Sequence, residues 1–269
     1  MIIYASSETL TKAGGLSSLW YLPCMFVGVM LFETYVFLIG SKQKDENKQL
    51  ASMTIFILIM AGISFVLPIN HLGEEFFSFS LGYPWCLKSA FMSCGFIGIG
   101  YLISRMVSKI KHGKWKFPVY LLIMIVFCSI LLLTYKINSK IVISSTHHVA
   151  FSKAYYGNPA LFMLDAICGI ICVLALSLLI DDYLAGHAAW IKQMLCRIGI
   201  DSMGIFLIHK GIVVYLSDSL SRHNAKGMIW IFIIVEVAVS ISCLLTNFIR
   251  RTLPEILGET RQTEKRAKA

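Results

Sequence analysis

Residues 197–210 read Arg197-Ile-Gly-Ile-Asp201-Ser202-Met-Gly-Ile205-Phe206-Leu-Ile-His209-Lys210. Ser202, Ile205 and His209 are spaced three and four apart, so on a helix they share one face. That face offers a hydroxyl and an imidazole to the interior of a bundle. An imidazole held there can relay a proton or orient a substrate, and it can equally serve as a structural hydrogen-bond partner for a neighbouring helix. Other ionisable groups also interrupt apolar sequence: Glu33, Lys88, Asp165, Lys210 and Glu236. At the centre of a membrane helix an ionisable side chain costs about 2.5–3.5 kcal/mol on insertion scales. Each therefore marks a polar cavity, a neutralising pair or a helix end from which the side chain reaches the interface. Glu33 and Glu236 lie deep in their segments, whereas Lys88 and Asp165 sit nearer the ends. Lys109, Lys111, Lys114 and Lys116 form a basic run that can meet phosphate groups or anionic lipid. His147 and His148 are adjacent in a connecting segment. Such a pair could contribute to a metal site, but two adjacent histidines are more often simply solvated, and no metal site is expected.

These residues are set in a chain of 269 residues that is 57% hydrophobic and only 14% charged. A soluble domain averages about 25% charged residues. The apolar residues fall in seven blocks, 18–40, 51–70, 83–104, 117–135, 160–180, 198–217 and 228–249. Each block has the length needed to cross about 30 Å of hydrocarbon. The fold class expected is all-α, a polytopic transmembrane bundle of seven spans forming one membrane domain over 1–269. Most of the eight cysteines lie inside the blocks without a CxxC pair. They read as small, reduced core residues.

The net charge is +9. Sixteen Lys and Arg fall in connections one, three and five and the tail, against six in the N-terminal segment and the even connections. Basic residues stay on the cytoplasmic side. The C-terminus, with 250–269 as a basic tail, is therefore expected in the cytoplasm and the N-terminus outside. The surplus charge is matched to the membrane surface, and no reader motif argues for nucleic acid. The first residues lack the pattern of a signal peptide.

Three segments carry a family resemblance. Leu19-Trp20-Tyr21-Leu22-Pro23-Cys24-Met25-Phe26 opens the first span. Tyr156-Gly157-Asn158-Pro159-Ala160-Leu161-Phe162 leads into a late one. Ile198-Gly199-Ile200-Asp201-Ser202-Met203-Gly204-Ile205-Phe206-Leu207-Ile208-His209 begins the sixth. In this order they resemble motifs of the acyltransferase type 3 family, closest to its fucose 4-O-acetylase-like branch. Asp201 stands where the family pattern has Asn, and Phe206 where it has Tyr. The resemblance implies a bacterial inner-membrane protein that transfers an acetyl or other acyl group to a hydroxyl of a sugar or polysaccharide. Acetyl-CoA would be the donor, drawn from the cytoplasm, with no bound cofactor. Trp20, Glu33, Asn158, Asp201, Ser202 and His209 are the implied motif residues, and the lysine run would meet the donor's phosphates.

Members of that family have about ten spans of roughly 20 residues each. The first carries a catalytic histidine at a fixed distance after an arginine. No such pattern occurs near Met1, so the catalytic base is unassigned, and His209 is the histidine left to consider. The expectation is a chain that lacks the family's first spans and draws on a further N-terminal portion or a partner chain. Two rivals remain. One is a non-catalytic seven-span scaffold. The other is a small transporter around Glu33, Glu236 and His209, for which the repeated halves of many transporters are not evident.

Overall fold

In lipid a backbone must satisfy its own hydrogen bonds, so apolar blocks of this length fold as helices. The computed structural model of the chain describes residues 4–12, 19–42, 45–68, 82–109, 117–142, 148–187, 189–222 and 227–252. Among them the α-helices are α1 (Ser7–Lys12), α2 (Tyr21–Leu38), α3 (Glu46–Val66), α4 (Leu87–Lys109), α5 (Phe117–Ile141), α6 (Pro159–His187), α7 (Ala189–Arg222) and α8 (Met228–Thr252). Among the described residues seven helices are long and apolar enough to cross a membrane, and each overlaps one of the seven blocks. No strand occurs among the described residues, only an isolated bridge between Ala150 and Tyr155. The chain is a multi-pass, all-α membrane protein.

Helices α5, α6 and α7 outrun the blocks expected from the sequence, α5 to Ile141 instead of 135. The fifth connection, expected over 181–197, is helical nearly throughout, because α6 runs to His187 and α7 begins at Ala189. No proline or glycine pair stops either helix in that stretch. The third span opens on a short 3₁₀ turn, Pro84–Cys86. Trp85 and Cys86 take left-handed backbone angles there, with φ of 54° and 52°.

The chain divides into two compact units, Met1–Tyr183 and Leu184–Ala269. In the first, α4 packs on both α2 and α3. Lipid gives no hydrophobic drive between helices, so close packing and polar bonds must hold them. Gly28 lets α2 approach α4 closely: a Cβ there would lie 3.3 Å from Ser93 Cβ. Cys24 Sγ and Ser93 Oγ share a hydrogen bond of 3.2 Å across the same seam. Phe32, Tyr35, Met53, Ile57 and Cys94 form one buried cluster, and Ala61, Met92, Ala154, Tyr156 and Phe162 another. At the other end of α2 the Tyr35 hydroxyl bonds Ser52 Oγ at 2.7 Å. Asp45 caps α3 by accepting from the Asn47 amide at 3.0 Å. In the second unit α7 packs along α8.

Candidate functional site

The second unit holds the sixth-span motif. Ser202, Ile205, Phe206 and His209 line one cavity of about 340 Å³ together with Val235 and Ala238 of α8. The residues do share a face, but not a buried one as expected: Ser202 is exposed and His209 half-buried, because only α8 packs on α7 in this unit. His209 Nδ1 lies 3.0 Å from both the Ile205 and Phe206 carbonyl oxygens. A carbonyl only accepts, so Nδ1 carries the proton and donates. In the neutral ring that leaves the lone pair on Nε2. The result is an imidazole of fixed tautomer on the wall of a largely apolar cavity, with a hydroxyl two turns away on the same helix.

Asp201 points elsewhere. It is 1% exposed and accepts from Arg250 Nη1 in an ion pair between α7 and α8. Its other oxygen, with Ser242 Oγ and Thr246 Oγ1, is buried without a hydrogen-bond partner among the described residues. These oxygens make the seam polar within an otherwise apolar helix pair. Gly204 lies against it: a Cβ at that position would collide with the Thr246 side chain. Ala238, Ser242 and Thr246 are four apart, so the polar seam and the cavity lie on one face of α8.

The first unit gathers a second polar site at one end. Tyr4 donates its hydroxyl to the Gly82 carbonyl at 2.8 Å, and the Trp85 amide donates to the Tyr4 carbonyl at 2.9 Å. Ser89 Oγ donates to the Phe151 carbonyl at 2.8 Å. These bonds join the N-terminal segment, the start of the third span and residues 148–156. The charge count assigns those three segments to one side of the membrane. Between them lies a small polar cleft lined by Ser7, Glu8, Lys88, Ser89, Ser152 and Lys153, among others. Burial raises the Glu8 carboxyl above its ordinary value, against a smaller lowering by its own backbone hydrogen bond and the Lys153 charge. Burial also pushes the Tyr156 hydroxyl up to about 12. It stays protonated and accepts from Ser64 at 3.2 Å.

Trp20 and Asn158 belong to this end. The Trp20 ring lies 6.0 Å from that of Phe151. Asn158 is the N-cap of α6: its Oδ1 accepts from the Ala160 and Leu161 amides at 3.0 and 3.2 Å. Pro159 follows at the first helical position, where its missing N–H costs nothing. Asn138, fully buried on α5, clamps this turn by donating to the Tyr156 carbonyl at 3.0 Å and accepting from the Asn158 amide at 2.8 Å. Gly157 has a φ of +72°, and a Cβ there would strike the Asn138 amide oxygen. The Tyr-Gly-Asn-Pro segment is thus a turn and cap that starts a helix.

The remaining candidates are dispersed. Glu33 and Glu236 sit on exposed faces of α2 and α8. Asp165 is buried and accepts from Thr134 Oγ1 at 2.5 Å across α5 and α6. Lys210 is half-buried beside His209 in the chain. Lys109 is the last residue of α4. Lys111, Lys114, Lys116 and His147 lie outside the described residues, as does the tail from 253. No cluster of His, Cys, Asp or Glu suited to a metal occurs among the described residues. The residue types alone did not reveal Glu8, Asn138, Arg250, Ser242 or Thr246. Small polar residues four apart in the last block were the available signal for Ser242 and Thr246.

The family model described as an acyltransferase domain matches residues 3–247 of the chain. No curated protein and no solved structure matches it.

Proposed function

Because the chain belongs to the acyltransferase type 3 family, we propose that it transfers an acetyl group from acetyl-CoA to a hydroxyl of a sugar or surface glycan. The observation that carries this reading is the meeting of Ser202 and a tautomer-fixed His209 on one cavity wall. In this reading the acceptor hydroxyl donates a hydrogen bond to His209 Nε2. As the hydroxyl oxygen attacks the acetyl carbonyl, Nε2 takes its proton. The carbon–sulfur bond breaks, and the departing CoA thiolate takes that proton from the imidazolium. Ser202 donates to the oxygen that becomes negative in the tetrahedral intermediate. The apolar cavity wall excludes water, which would otherwise compete as acceptor.

The lysine run at the end of α4 would meet the phosphates of the donor on the cytoplasmic side, with the C-terminus on that side as the charge count predicts. The membrane would be the bacterial inner membrane. The test is deletion of the gene with analysis of surface polysaccharide by mass spectrometry. The reading expects loss of an O-acetyl group, restored by the wild-type gene. An unchanged glycan overturns it.

A further inference from the structure

The small cleft of the first unit is lined by a buried lysine that pairs with no carboxylate among the described residues. Lys88 is 8% exposed and lines the cleft. Among the described residues no carboxylate forms an ion pair with it. Its ammonium lies 5.9 Å from the centroid of the Tyr156 ring, which supplies a weak cation–π contact only. Burying a cation without a partner is costly, in a membrane protein above all. Hydroxyl-bearing Ser7, Ser89 and Ser152 share the wall with it.

From this geometry we propose that the cleft binds the carboxylate of an acidic sugar of the uronic-acid type. The proposal rests on the reading of the chain as a glycan acyltransferase. The cleft's volume is about 30 Å³. One water needs about 10–15 Å³ by the same measure. There is room for a terminal group projecting from a sugar ring, not for the ring itself. A compact ammonium suits such a group as a point charge. By formal charge, Lys88 and Lys153 against Glu8 leave the cleft one net positive charge, which suits a monoanion better than a dianionic phosphate.

The test uses the full chain in lipid nanodiscs, titrated with glucuronate, its methyl ester, glucose and glucose 6-phosphate. The expected result is binding of glucuronate at least tenfold tighter than of the ester or glucose. Lys88→Met removes that difference, and Lys88→Arg keeps part of it. Equal binding of glucuronate and its ester overturns the proposal, as does a preference that survives in Lys88→Met. Tighter binding of glucose 6-phosphate than of glucuronate overturns the carboxylate assignment. The wild-type comparison decides even where Lys88→Met does not fold. Glucuronate binding by a chain without transferase activity keeps this site and removes the transferase reading. Acetyl transfer by a chain that binds glucuronate no tighter than its ester does the reverse.

Discussion

At His209 the direction of one hydrogen bond decides what the side chain can do. Two backbone carbonyls hold Nδ1–H, so Nε2 is the atom left for a substrate. In the proposed reaction, replacing His209 with Ala removes the general base, and acetyl transfer should fall by about 10²- to 10⁴-fold. Folding should persist, because the bonds lost are local to one helix turn; circular dichroism of the purified variant checks this. Asn158 behaves differently. Asn158→Ala removes the cap of α6 and should lower stability by about 1 kcal/mol, read as a lower midpoint of thermal unfolding. Glu8 adds a pH dependence. Its folded-state carboxyl is raised above the ordinary 4.5, so the folded state holds the proton more tightly than the unfolded one. Stability from this group is fully present below 4.5 and is lost as pH rises through the raised value. Glu8→Gln should flatten that part of a melting-temperature profile. Of these three residues only His209 and Asn158 were legible in the sequence. The pairing of His209 with Ser202 follows from spacing on any helix. Glu8 acquires its character from segments 74 and more residues away, and no local pattern encodes that.

At the scale of elements, α7 and α8 are held by a polar seam beside an apolar cavity. Gly204 is the tightest point, where any side chain meets Thr246. Gly204→Ala should force the helices apart and cost about 1–3 kcal/mol, the usual range for overpacking. Pairing it with Thr246→Ser, which removes a methyl group, should recover part of the loss; a double-mutant cycle in thermal unfolding measures it. The spans themselves were readable because about 20 apolar residues in lipid have few other folds to adopt. Their ends were less so. The stretch 181–197 carries charges and polar groups that read as a loop, yet helix propensity and the absence of breakers carry α6 and α7 through it. The left-handed pair Trp85 and Cys86 was also illegible, since neither residue type favours that backbone.

At the scale of the molecule, the chain is a membrane protein of the acyltransferase type 3 family. Its three motifs divide the labour unevenly. The Tyr156–Phe162 motif builds a turn and a helix start, the Trp20 motif packs at the same end, and the sixth-span motif supplies the groups able to do chemistry. Family motifs report both kinds of demand without distinguishing them, and geometry separates the two. The most direct measurement is transfer of ¹⁴C from [¹⁴C-acetyl]-CoA to a polysaccharide by the full chain in nanodiscs, wild type beside His209→Ala. The account predicts labelled, alkali-labile O-acetyl sugar from the wild type and about a hundredfold less from the variant. Equal labelling by both would contradict the role given to His209, and no labelling by the wild type would contradict the transferase assignment itself.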